Sequence, residues 1–124
     1  MPAPTLHTLP TAVIADAVSA STGNTHAPAS NTAAVVTKAA AGAGVCNVID
    51  GIAWSYDAAP TNGGLTITDG GSTVFQVAVT AAGPGFFLFP RPLKSAANSA
   101  MVVTLAAGGS GVTGKINVLG ARTE

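Results

Sequence analysis

Leu65–Thr80 reads LTITDGGSTVFQVAVT, and this stretch decides the fold class. The run LTITD (65–69) is closed by Asp69-Gly70-Gly71, a pair of glycines after Asp that reverses a strand through a tight hairpin turn. Ser72–Thr80 then alternates, with Phe75, Val77 and Val79 on one face and Val74, Gln76 and Ala78 on the other. Two short β-rich runs joined by a two-glycine turn form an antiparallel hairpin.

Similar signals extend in both directions. Towards the N-terminus, Pro60-Thr61-Asn62-Gly63-Gly64 supplies turn chemistry, because Asn and Gly tolerate positive φ. Before it, Val45–Asp57 (VCNVIDGIAWSYD) places Cys46, Val48, Ile52, Trp54 and Tyr56 on one face at period two, with Asp50 interrupting. Ala33–Lys38 (AAVVTK) is a shorter β-branched run. Towards the C-terminus, Phe86-Phe87-Leu88-Phe89 reads as a compact aromatic strand ended by Pro90-Arg91-Pro92. Met101, Val103 and Leu105 share a face, and Gly108-Gly109-Ser110-Gly111 turns the chain into Val112–Leu119, where Val112, Ile116 and Val118 line up. No segment beyond the N-terminal stretch carries a helical period. The expected fold is all-β: a jelly roll or β-sandwich of seven or eight short antiparallel strands.

Residues 1–32 differ from this domain, which spans 33–124. They hold Pro2, Pro4, Pro10, Pro28 and both histidines, and no Lys or Arg. Only Thr11–Ala20 is patterned, around Val13 and Ile14. This reads as an extended N-terminal arm with little to bury by itself, expected to be pinned against another subunit, or else to pack on its own domain.

Composition sharpens the expectation of assembly. Ala, Gly, Thr and Ser account for 63 of the 124 residues, 8% are charged, and five basic groups cancel five acidic ones. That balance excludes the clustered Lys and Arg of a nucleic-acid binder or a polybasic membrane anchor. Apolar residues make up 48% but aromatics only 5%. Small side chains bury little area at about 25 cal/mol per Å², so neighbouring subunits are expected to supply buried surface. No run reaches the length of a membrane span, and no secretory signal precedes the domain, so synthesis in a cytoplasm is expected.

Reagents for catalysis are sparse. His7 and His26 lie in the arm, far in sequence from Asp50, Asp57 and Asp69, and no spacing matches a zinc or EF-hand site. Gly109–Lys115 fits the start of a phosphate-binding loop, but Ile116 stands where Ser or Thr would hold magnesium, and the following residues alternate as a strand. Cys46 stands alone and reads as a small core residue. Asp50 on an otherwise apolar face is either a buried acid or, on the favoured reading, part of an Asp50-Gly51 bulge or bend that turns the carboxylate to solvent or to a backbone N–H. No enzyme activity, catalytic residue, cofactor or metal is expected.

The candidate partner surface is Gly85–Lys94 (GFFLFPRPLK). Consecutive aromatics in a strand point to both faces of a sheet, so both must be covered. One face meets the core, and the other meets an arm, a neighbour or a partner. A fully buried central strand is the competing reading. The residues singled out are Phe86, Phe87 and Phe89, with Arg91 and Lys94 at the rim and Val13 and Ile14 from the arm. Trp54 and Tyr56 are candidates for a sugar-stacking platform, although core anchoring accounts for them more simply.

Three stretches, VIDGIAWSYDAAPTNGGLTITDGG (48–71), AAGPGFFLFPRPLK (81–94) and VVTLAAGGSGVTGKINV (102–118), resemble the small cement or decoration proteins of tailed bacteriophages. The resemblance covers residues 33–119 and is structural rather than catalytic. It implies a jelly-roll-like domain assembled as a homodimer or homotrimer on the outer capsid surface, clasping adjacent major capsid subunits. The alternative is a carbohydrate-binding or host-recognition module on a virion spike or tail.

Overall fold

The structure, a computed structural model, describes residues 23–124. Among the described residues nine strands follow one another: β1 (Thr25–His26), β2 (Ala34–Lys38), β3 (Asn47–Tyr56), β4 (Gly64–Asp69), β5 (Ser72–Ala78), β6 (Gly83–Lys94), β7 (Met101–Leu105), β8 (Gly114–Leu119) and β9 (Arg122–Thr123). All pairings are antiparallel.

The pairing is nested. Strand β4 pairs with β5, β3 with β6, β2 with β7 and β1 with β8. One sheet has the order β1-β8-β3-β6, with β9 added at one end of β3, and the other has the order β2-β7-β4-β5. A long hairpin folded over in this way is a jelly roll, the expected sandwich class. At its centre, Asp69 and Ser72 face each other across Gly70 and Gly71, whose φ of 58° and 90° suit the turn that matches strand twist.

Between the sheets lies an aliphatic core. Leu65 and Ile67 from β4, and Met101, Val103 and Leu105 from β7, have no solvent exposure. They meet Ile49 and Ile52 of β3 and Ile116 of β8. Tyr56 closes one end, and its hydroxyl donates to the Ala106 carbonyl at 2.6 Å. At the other end, buried Asn47 donates through Nδ2 to the carbonyls of Lys38, Ala39 and Ser99, while its N–H donates to Ser95 Oγ. One side chain thereby ties together three backbone carbonyls at the end of the sandwich.

Several expectations are corrected. The β3–β6 pairing is irregular between Ile49 and Gly51, but the extra residues lie on β6, where 89–92 are skipped against Asp50 alone on β3. The expected bulge of β3 thus becomes an irregularity of its partner. Alternation reverses across Asp50 and Gly51, so Ile49, not Val48, joins Ile52 in the core cluster. Cys46 is only partly buried, because it pairs with Glu124 through two backbone bonds at the margin of the sheet. Strand β6 does not stop at Pro90 but runs to Lys94, and it is an edge strand rather than a central one. Pro90 and Pro92 fall where pairing jumps from Leu88 to Leu93, so neither removes a ladder bond.

The N-terminal stretch is also partly built into the domain. Strand β1 lies within it and pairs with β8, and Asn31 N–H donates to the Val112 carbonyl. Thr25 and His26 are exposed and held by backbone bonds, so no hydrophobic pattern announces them.

Candidate functional site

The two long sides of the sandwich differ. One side carries β1 and β2, and residues 23–26 seal it with polar contacts. His26 Nδ1 accepts the Val35 N–H at 2.9 Å, and Lys38 Nζ donates to the Gly23 carbonyl at 3.1 Å and to Asn24 Oδ1. Burial holds the Lys38 ammonium below its usual pKa.

The opposite side is bounded by β5 and β6, and no segment among the described residues seals it. Phe86 is 70% exposed, Leu88 57% and Phe87 40%, with Val74 and Val77 of β5 also exposed. Phe86 pairs with Ala53 and Leu88 with Gly51 on the outer face, whereas Phe87 pairs with the buried Ile52 on the inner face. Phe87, Phe89 and Phe75 form a three-ring cluster with centroids 5.2 to 5.3 Å apart, which ties the β6 edge to β5. The site is therefore an edge that displays apolar rings on both faces.

The outer face beside it is shallow and nearly neutral. Small residues of β3, Ala53 and Ser55, form its floor, with Pro84 and Phe86 on one flank and Asn117 on the other. Lys115 and Asp57 stand beyond Ser55 at one end. Asp57 is already engaged, since Oδ1 accepts the Thr113 N–H at 2.7 Å.

The basic residues of the candidate surface part company. Lys94 Nζ lies 3.6 Å from Glu124 of the same chain, and Glu124 in turn lies 3.6 Å from Arg122. The Asp50 carboxylate meets the Arg122 guanidinium at 2.8 Å rather than a backbone N–H. That hydrogen bond raises the Arg122 pKa further. Arg91 is exposed and makes no ion pair among the described residues. Val13, Ile14 and His7 lie outside the described residues.

The sugar-platform reading loses one of its rings. Tyr56 is 1% exposed and points into the core, where burial raises its pKa. Trp54 is partly buried on the same inner face, its indole over Gly85. The glycine-rich Gly109–Lys115 segment leads into β8, with no helix to cradle a phosphate. Among the described residues no three His, Cys, Asp or Glu side chains come together to hold a metal. Sequence reasoning missed β5's share of the exposed side. Only the pairing order reveals it, because it brings β5 and β6 to the same margin.

No family model matches the chain, and no curated protein matches it. A solved structure described as carbohydrate-binding module CBM36 in complex with calcium and xylotriose is similar over 81% of this chain and 78% of that one, with 14% identity and a TM-score of 0.39. A likeness at that level decides nothing about ligand or partner.

Proposed function

We propose that the protein is a structural virion component that binds the outside of a tailed-phage capsid and stabilises it by bridging major capsid subunits. The observation that carries this reading is the open β5/β6 side, where Phe86, Phe87, Leu88, Val74 and Val77 are exposed together. Large apolar side chains exposed along one margin suit a protein-interaction site. The sequence resemblance over residues 33–119 supports the choice of partner. Fold alone does not, since jelly rolls serve viral and lectin domains alike. A low charge density suits a protein laid flat on a large neighbour, and many copies turn a modest contact into firm attachment through avidity.

The test is co-sedimentation of the purified full chain with empty capsid shells, followed by thermal melting of the shells. Binding at a fixed number of copies per shell, with a raised melting temperature, is the expected result. No binding, together with a positive glycan array, would replace this reading with the carbohydrate-recognition alternative. Phe86 would then have to serve in place of the buried Tyr56.

A further inference from the structure

We infer that the free edge of β6 pairs with the same edge of a second copy about a two-fold axis at Phe87, joining the two sheets into one. This deepens the oligomeric part of the proposed function and holds whether or not a capsid is the partner.

Pairing geometry leads to this arrangement. Pro84 pairs with Ser55 in the β3–β6 ladder but has no N–H, so Pro84 and Ser55 cannot exchange backbone bonds. Alternation then directs the N–H groups of Gly85 and Phe87 to β3, and those of Phe86 and Leu88 to the free edge. Only Phe86 and Leu88 donate there, because Pro84 and Pro90 flank them without an N–H. This pattern is symmetric about Phe87. Phe86 and Leu88 stand one residue to either side, and Pro84 and Pro90 stand three.

Two such edges complement each other when run antiparallel about Phe87. Phe86 of one copy exchanges both backbone bonds with Leu88 of the other, and the reciprocal pair does the same. All the free donors of the window are then used. The next position would match Pro84 with Pro90, where neither has a donor, so the ladder stops. Phe87 meets its own copy at a non-hydrogen-bonded position, where side chains come closest. Phe86 packs beside Leu88 of the partner on the outer face.

Charge and the state of the other margins agree with a second copy as the occupant. No residue from Gly83 to Pro90 is charged, so bringing two copies together opposes no like charges. The other margins are blunted in recognised ways. Strand β1 has two residues, β2 is capped by His26, and β5 is irregular between its partners Ile67 and Thr68.

The experiment is sedimentation equilibrium of the full chain, combined with amide exchange read at Phe86 and Leu88. A dimer is expected, with both amides protected. Phe86→Lys and Leu88→Lys place charge on exposed positions outside the core and should raise the dimer dissociation constant by about 100-fold, with unchanged monomer circular dichroism. Val74→Glu on β5 serves as a comparison and should weaken the dimer far less. A monomer at all concentrations, a trimer, or a dimer whose Phe86 and Leu88 amides exchange freely would overturn the inference. A wild-type dimer with protected Phe86 and Leu88 amides that does not co-sediment with shells would overturn the capsid reading alone, and a wild-type monomer that co-sediments would overturn this inference alone.

Discussion

The indole of Trp54 lies across Gly85 of the neighbouring strand, so near that a Cβ on Gly85 would sit 2.7 Å from the ring. An aromatic side chain packed over a cross-strand glycine covers the gap that glycine leaves and anchors an edge strand. Gly85→Val should displace the indole and destabilise the domain by about 2 kcal/mol, the usual scale of overpacking. Trp54 is the single Trp, so its emission reports on this contact directly. A red shift in the folded variant together with a lower urea midpoint is expected. Unchanged emission would mean that the ring is not seated on the glycine.

Tyr56 predicts an alkaline limit to stability. Burial raises its pKa above the ordinary 10.0, so the folded state holds the proton more tightly than the unfolded chain does. Its contribution is therefore complete below pH 10 and is lost as pH rises towards the raised folded value. Because the chain has a single Tyr, phenolate absorbance can be followed without overlap. Less than half of it should be present at pH 10, and the rest should appear together with loss of β-sheet signal. A smooth titration centred near 10 in the folded protein would contradict this.

Asn47 predicts a large local effect from one polar side chain. Asn47→Leu removes the donor serving the carbonyls of Lys38, Ala39 and Ser99. Leaving such groups unpaired costs about 1–3 kcal/mol each, less where water reaches them. A loss of about 3 kcal/mol in chemical denaturation is expected, with Asn47→Asp no better because a carboxylate cannot donate. A change under about 0.5 kcal/mol would show that the three carbonyls find water instead.

His26 predicts a change in dynamics more than in stability. His26→Ala removes the acceptor for Val35 N–H, at a solvent-exposed position where the net cost is about 1 kcal/mol or less. Amide exchange at Val35 should quicken markedly while that of Val103 in β7 stays slow. Equal protection of Val35 in both proteins would show that the seal over β2 is made by other groups.

Much of the fold was legible in the chain because alternation and turn chemistry are local. The Asp69-Gly70-Gly71 turn and the buried face of Met101, Val103 and Leu105 both followed from neighbours within a few residues. Where the physics is not local, the reading failed. Alternation shows that Phe86 and Phe87 point to opposite faces, but not which face is the core. Pro90 reads as a stop until β6 is known to be an edge, where a missing N–H costs little.

Sequence by itself thus determined the class of structure: an all-β chain of small residues, nearly without charge, with short strands set by hairpin signals. Tertiary structure decided the strand order and, through it, the surface. Nested pairing of β3 with β6 and β4 with β5 brings two edges to one side of the sandwich, while residues 23–26 close the other. Those pairings join residues tens of positions apart, and their free energy comes from burying faces against each other, which no local run of residues records.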